Sequence, residues 1–425
     1  MPEPRRAAHP EADGRDWGAH AQGWLGRLAA CSEPGPGVTR LPFTPEHRAA
    51  LDVLGALMGE AGLAVRLDAA GTLIGRRDGP PGAPVLLMGS HQDSVRAGGA
   101  YDGIMGVVLP VLALMALRDA AVRLPFAVEV MAFADEEGVR FPTALMGPRA
   151  LAGTFDMAAL GLRDAQGTSL RAAMEAFGLA PDALPGLRRD PAQVLGWIEC
   201  HLEQGPVLER AAETLGVVDA ICGIERHAVT LTGQAAHAGT LPMALRRDAL
   251  VGAAELVAAV EALATGRDDG LLATVGALRV SPGVVNAVPG AADLTIEIRA
   301  PRDGARRAAA TDLRRAAQDI ADRRGLTLEM ARTYAQAATP CAPGMVAALA
   351  GAVRDTVGTA RVLASGATHD TSAMADLCPV GMIFTACTGG ISHHPDEHVP
   401  SEAMRAAVLA LARAVRGLAG QGSRG

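Results

Sequence analysis

Lysine is absent from all 425 residues, so each of the 39 basic side chains is an arginine. That absence excludes a P-loop lysine, a Schiff-base lysine and a Ser–Lys dyad. Aromatic residues are scarce at 3%, and the formal net charge is −7. Together these exclude a broad nucleic-acid surface or an anionic-membrane surface. The six cysteines (Cys31, Cys200, Cys222, Cys341, Cys378, Cys387) are scattered and form no CxxC pair. A zinc ribbon or thioredoxin-type site is thereby set aside, and buried free thiols are expected. The longest apolar run, 103–117, is interrupted by Pro110 and falls short of the roughly 18 residues of a membrane span. The first residues carry Glu3, Arg5, Arg6, Glu11 and Asp13 and lack the apolar stretch of a secretory signal. A cytoplasmic location is therefore expected.

What is present is globular. Apolar residues make up 49% and charged residues 20%, ample for a core, and the length suits two or three domains of roughly 100–200 residues. Residues 1–40 are polar and rich in Pro and Gly, with an amphipathic segment at 17–28. Helical spacing of Leu51, Leu54, Leu57 and Met58 marks 45–60, an apolar run at 84–88 reads as a buried strand, and 103–120 reads as a buried helix kinked at Pro110. Another strand follows at 126–133. This alternation points to a doubly wound α/β sheet. The middle of the chain differs: strand 226–232, helix 243–264 opened by Pro242, strands 272–280 and 292–299, helix 302–323 and strand 326–331. That order is β-α-β-β-α-β, as in ferredoxin-like sandwiches. It is placed at 217–335, inserted into a larger domain of 1–216 plus 336–425. Helices at 345–356 and 402–418, with a strand at 380–386, complete the chain.

Five segments concentrate His, Asp and Glu after strand-like runs: GSHQDS from Gly89, YDG from Tyr101, DEEG from Asp135, ECHLEQG from Glu199 and GISHHP from Gly390. In open α/β sheets, sites gather at the carboxyl ends of strands, so segments spread over the whole sequence can converge. Imidazole and carboxylate donors without thiolate suit Zn²⁺, Mn²⁺, Co²⁺ or Ni²⁺. A two-metal site, with ions about 3.5–4 Å apart, also needs a shared ligand, and Asp102 in its Gly-flanked turn can bridge. Each member has a plainer alternative. Asp102 can cap the following helix, Glu136 and Glu137 can form a solvated turn, and His201 can be a satisfied core histidine.

With HAGTLPM (from His237) and VNAVP (from Val285), these segments in this order resemble the M20-type metallohydrolases. The likeness lies with the branch that hydrolyses N-carbamoyl (ureido) groups: N-carbamoyl-L-amino-acid hydrolase, β-ureidopropionase and allantoate amidohydrolase. It runs from about residue 45 to the C-terminus. It implies a metallopeptidase-like catalytic domain, an inserted lid and dimerisation domain, and two divalent ions per subunit: Zn²⁺ or Mn²⁺, with Co²⁺ or Ni²⁺ also suited. Carried over residue by residue, His91 and His393 each hold one ion and Asp102 bridges them. Glu137 joins the His393 ion and His201 the His91 ion. Asp93 orients the His91 imidazole by accepting its second N–H. Glu136 is the general base that takes a proton from the attacking water and passes it to the leaving nitrogen. His237, reaching over from the second subunit of a homodimer, hydrogen-bonds the developing oxyanion. Asn286 and Arg299 hold the substrate carboxylate, for which Arg supplies a planar fork, and Gln204 contacts the substrate.

Departures from the resemblance are Thr368 where relatives carry Gly before His369-Asp370, Leu241 before Pro242, and Pro110 in the first apolar helix. His369 is open between a pocket role and local structure, and His394 is expected at the rim. The expected enzyme is a hydrolase of non-peptide C–N bonds that releases ammonia and carbon dioxide from a small ureido acid. The runs around His237 and 377–384 lean toward allantoate, with N-carbamoyl-L-amino acids next. An aminoacylase or peptidase of the same architecture and a non-catalytic binding module are the competing readings.

Overall fold

In the computed structural model, which describes residues 14–421, the chain opens with helix α1 (Trp17–Ala29), whose first N–H groups are capped by the Asp16 carboxylate. Thr44 caps α2 (Pro45–Glu60), with Pro45 at its first position. Strands β1 (Ala64–Leu67), β2 (Leu73–Arg77) and β3 (Val85–His91) follow, then α3 (Met105–Asp119) and β4 (Ala127–Phe133). Every α3 residue from Met105 to Leu117 is buried, and the helix continues through Pro110. A helix apolar all round belongs inside: α3 packs on β3 and β5 on one side and on α1 and α11 on the other. Short helices α4 (Met146–Ala152) and α5 (Leu170–Ala176) lead to β5 (Val194–Leu202), the single turn α6 (Val207–Arg210) and β6 (Leu215–Ile221).

A second unit, Ala220–Pro340 with Ala364–Thr368, has its own core. It contains β7 (Gly223–Thr232), the two-residue β8 (Ala236–His237), α7 (Ala249–Ala264), β9 (Leu272–Ser281), the two-residue β10 (Ala287–Val288), β11 (Ala291–Ala300), α8 (Asp303–Arg324), β12 (Thr327–Gln336) and β13 (Thr339–Pro340). The order β12-β7-β11-β9 is antiparallel throughout. Val229, Leu231, Leu294, Ile296 and Ile298 alternate inward and meet Leu256 of α7 with Leu313 and Ile320 of α8. Two elements differ from the sequence reading. The Asp248 carboxylate accepts from Leu250 and Val251 and starts α7 there, leaving only a 3-10 turn at Met243–Leu245 after Pro242. A register shift between Arg332 and Tyr334 breaks the alternation of β12, which extends to Gln336.

The chain returns through α9 (Pro343–Val357), β14 (Arg361–Ser365), α10 (Thr371–Met374), β15 (Val380–Thr385) and α11 (Ser401–Gln421). The first unit is a mixed α/β layer structure around a sheet of order β1-β2-β4-β3-β5-β15-β6. Its centre, β4-β3-β5-β15, is parallel. β1, β2 and β6 join antiparallel at the edges, where strand–helix alternation alone implies parallel pairing. The cysteines are free thiols, all buried except the half-buried Cys31. Among the described residues no helix is long and apolar enough to cross a membrane.

Candidate metal centre

The four central strands are neighbours and run the same way, so their carboxyl ends share one edge. His91 ends β3, Glu136 and Glu137 follow β4, His201 lies near the end of β5, and His393 follows β15. Asp102 arrives from the turn before α3, where Gly103 adopts φ +64 and a Cβ would run into the His91 ring. Asp102 does not cap α3: that helix has no side-chain cap, and the Asp102 carboxylate turns to the histidines instead.

Its two oxygens face different partners. Oδ1 lies 3.0 Å from His201 Nε2 and 3.8 Å from His91 Nε2, whereas Oδ2 lies 3.1 Å from His393 Nε2. Glu137 Oε1 is 3.7 Å from His393 Nε2. Two of the four candidate ligand groups among the described residues, His91–Asp102–His201 and Asp102–Glu137–His393, share only Asp102; the others are His91–Glu136–Glu137 and Glu199–His201–His369. His91 Nδ1 is 3.0 Å from the Asp93 carbonyl and His201 Nδ1 is 2.9 Å from the Leu202 carbonyl. A carbonyl only accepts, so each Nδ1 carries the proton and each Nε2 presents a lone pair to the Asp102 carboxylate. The space between them favours positive charge, as a bound cation or as a second proton on each ring.

Charge–charge effects say the same. Burial pushes His91 and His201 down, but Asp93 and Glu136 beside the first and Asp102 beside the second outweigh it and raise both. The Asp102 contact raises His393 to about 8. Burial opposes ionisation of Asp102, yet His201 and His393 hold it well below the usual carboxylate range. Burial raises Glu137 to about 7, with Asp102 and Asp93 adding to the effect and His91 opposing it. Burial also pushes Glu136 well up, with Glu137 and Asp370 adding to the effect and His91 opposing it. Glu137 Oε1 is buried with no hydrogen-bond partner among the described residues. Three imidazoles and two carboxylates converging on one shared Asp fit a pair of hard-to-borderline divalent ions.

The Asp93 carboxylate is 3.5 Å from His91 Nδ1, farther than the Asp93 carbonyl. It accepts the backbone N–H groups of Glu136 and Glu137, both at 3.1 Å, so it orients the acidic pair as well as the ring. Gln204 Nε2 donates to Asp102 Oδ2 at 3.2 Å and to Ser392 Oγ at 3.0 Å. His369 is buried beside His201, with ring centroids 4.5 Å apart; burial, reinforced by His201, keeps it neutral. His394 is exposed.

Two supporting carboxylates have no role in the sequence reading. Glu397 accepts the Tyr101 and Asp102 N–H groups, each at 3.0 Å, and the Ser392 hydroxyl at 2.8 Å; it packs where a side chain on Gly99 would otherwise sit. Glu199 accepts the Ser90 hydroxyl at 2.7 Å, the Thr371 N–H at 2.9 Å and the Thr371 hydroxyl at 2.6 Å. An acid two residues before His201, and another four after His393, were the available signals.

In the second unit, β8 pairs with β10, setting Ala287 opposite His237, and Ala238 N–H donates to the Asn286 carbonyl at 2.9 Å. His237 and Asn286 are both exposed. His237 Nδ1 accepts the Gly239 N–H at 3.1 Å, leaving Nε2 to carry the proton. Arg299 Nε donates to Glu297 at 2.6 Å and Nη1 to the Gly366 carbonyl at 2.6 Å.

Residues 87–417 match the family model described as peptidase family M20/M25/M40. An N-carbamoyl-L-amino-acid amidohydrolase of Paenarthrobacter aurescens is 40% identical over 92% of this chain and 95% of its own length. An allantoate deiminase of Arabidopsis thaliana is 36% identical over 91% of this chain and 80% of its own. The crystal structure of an amidase of the hydantoinase/carbamoylase family from Burkholderia multivorans superposes with a TM-score of 0.87 at 32% identity, covering 94% of this chain and 97% of that one.

Proposed function

The chain belongs to peptidase family M20/M25/M40, and from the centre it builds we propose a dinuclear metal-dependent amidohydrolase that cleaves the C–N bond of a small ureido acid. The observation that carries this is the division of Asp102, one oxygen toward His91 and His201 and the other toward His393. His91 and His201 hold one ion, Glu137 and His393 the other, and Asp102 both. Zn²⁺ or Mn²⁺ suits these donors. The ureido acid is allantoate or an N-carbamoyl-L-amino acid, since enzymes with each name align over most of the chain.

Two divalent ions in this cluster supply Lewis-acid activation of the ureido carbonyl and of water. The Glu136 carboxylate takes the proton of the attacking water and delivers it to the leaving nitrogen. Asp93 keeps Glu136 and Glu137 diverging, one free and one ligating, by holding both backbone N–H groups. One water is consumed overall: the carbamoyl group leaves as carbon dioxide and ammonia, and the remaining acid keeps its amine. His237, with its proton on Nε2, donates to the developing oxyanion. Asn286 and Arg299 hold the carboxylate, and Gln204 turns from Asp102 to the substrate.

We assign the first unit to catalysis and the second to the lid and dimerisation domain; the boundaries expected at 216/217 and 335/336 fall inside β6 and β12. The geometry within the second unit supports a shared site. The β8–β10 pair that carries His237 and Asn286 adjoins the Ala291 end of β11, while Arg299 is eight residues along that strand, about 26 Å at 3.3 Å per residue. A small ureido acid does not span that length, so one substrate uses Arg299 from one chain and His237 from its partner in a homodimer.

Metal content tests the assignment. Wild type should carry two ions per chain, and Glu136→Gln should keep both while losing about 10²–10⁴-fold in turnover. Asp102→Ala should lose metal. Full occupancy in Asp102→Ala would contradict the bridging role.

A further inference from the structure

We propose that Arg40 is a positioning residue of the metal centre: its guanidinium clamps the Gln92 carbonyl, between His91 and Asp93, to the carboxyl end of α1. This rests on the dinuclear reading above. Arg40 lies upstream of the residues that match the family model, in a loop with no ligand-like motif.

The side chain is only 2% exposed, and taking a guanidinium out of water is costly unless its donors are committed. Burial pushes Arg40 down to about 10, with Cys31 and Asp93 opposing. Among the described residues no carboxylate lies within ion-pair distance of it. Its donors go to three backbone carbonyls instead: Nε to Gln92 at 2.6 Å, and Nη1 to Leu28 at 2.9 Å and Cys31 at 3.2 Å. Leu28 lies in the last turn of α1 and Cys31 just past its end, and the Leu28 carbonyl also accepts the Cys31 N–H at 3.0 Å.

The backbone around Arg40 grips the same loop. Arg40 N–H donates to Ser94 Oγ at 2.9 Å, and Ser94 N–H donates to the Arg40 carbonyl at 3.1 Å. The segment 91–94 is thus held at Gln92 and at Ser94. A fixed Gln92 carbonyl fixes the peptide plane between Gln92 and Asp93. Together with the next plane, which the Ser94 N–H holds on the Arg40 carbonyl, it sets the direction of the Asp93 carbonyl, which orients the His91 ring, and of the Asp93 carboxylate, which holds Glu136 and Glu137. Of the second ion's ligands only Glu137 is reached this way, and only through its backbone N–H, while the His393 side has separate supports, Ser392 and Glu397. Arg40 therefore acts on the ion held by His91 and His201 more than on the ion held by Glu137 and His393. Only a planar fork spans both sets of carbonyls; a lysine ammonium reaches one.

The test is Zn²⁺ titration of chelator-stripped full-length protein against a competing chelator, with stoichiometry from elemental analysis. Wild type should bind two ions. Arg40→Met and Arg40→Lys should each lose about 10–100-fold in affinity for one ion, the usual range when a ligand's support is removed, and change little for the other. Leu57→Ala, which removes buried packing from α2 and leaves every Arg40 contact in place, should lower Tm and bind both ions as wild type does. If Arg40→Met fails to fold, Arg40→Lys decides alone. Wild-type affinity for both ions in a folded Arg40 variant would overturn the proposal. So would the same one-ion loss in Leu57→Ala, which would assign the effect to lost stability. A wild type that binds fewer than two ions would overturn the dinuclear reading, and this inference with it.

Discussion

Asp102 owes its place to its neighbour as much as to its own chemistry, because only a glycine at 103 lets the turn pass the His91 ring. The cluster around it has a pH signature. In the metal-free fold Glu137 titrates at about 7 against an ordinary 4.5, so between those values the folded chain keeps a proton that the unfolded chain has lost. Stability then falls as pH rises through that window. His393, raised from 6.5 to about 8, contributes stability below 6.5 that is lost as pH rises through 8. Ions need both groups deprotonated. The rise in Tm on adding Zn²⁺ should therefore be larger at pH 8 than at pH 5, as scanning calorimetry would show; an equal or larger rise at pH 5 would contradict the ligand set. The ligand candidates were legible because imidazole and carboxylate in short Gly-flanked motifs stand out in a sequence. Arg40, Glu199 and Glu397 were not, because each works through backbone or hydroxyl partners distant in the chain, and no spacing rule reports those.

Elements bring the ligands together through strand order. β4, β3, β5 and β15 come from residues 85 to 385, yet they lie side by side and parallel, so four loops open on one edge. The sequence reading located most of these elements, since apolar runs and helical spacing survive in buried strands and helices. Short strands such as β1, β2 and β14, with five or fewer residues, carry no clear period, and neither they nor β6 stand out in the sequence. The sequence reading started α7 too early because a proline was a stronger signal than the Asp248 cap. Pairing direction at the edges was also hidden, because alternation of elements does not encode it. On β11, Arg299 is braced by Glu297 and the Gly366 carbonyl, which aims its remaining N–H groups. Arg299→Lys keeps the charge but loses the fork. A lost charge-assisted hydrogen bond, about 1.5–3 kcal/mol, should raise KM for a ureido acid roughly 10–100-fold. Little change in kcat or metal content is expected. Unchanged steady-state kinetics would return Arg299 to a role in the sheet alone.

The whole molecule has two units of different construction, one bearing the candidate metal ligands and the other His237, Asn286 and Arg299. If His237 serves the partner's centre, His237→Ala and Glu136→Gln homodimers should both be nearly inactive. Subunit exchange between them should restore activity toward about a quarter of wild type, because half the dimers are mixed and each has one intact site. A silent mixture, with exchange verified by mass spectrometry, would remove the shared site and leave the metal chemistry in place. The most direct test of the central claim is ammonia release by chelator-stripped protein before and after reloading with Mn²⁺ or Zn²⁺. The panel is allantoate, N-carbamoyl-L-amino acids, N-carbamoyl-β-alanine and N-acetyl amino acids. Ammonia is expected from allantoate or an N-carbamoyl-L-amino acid, only after reloading, with no deacetylation. Deacetylation without ammonia from any ureido acid would contradict that claim.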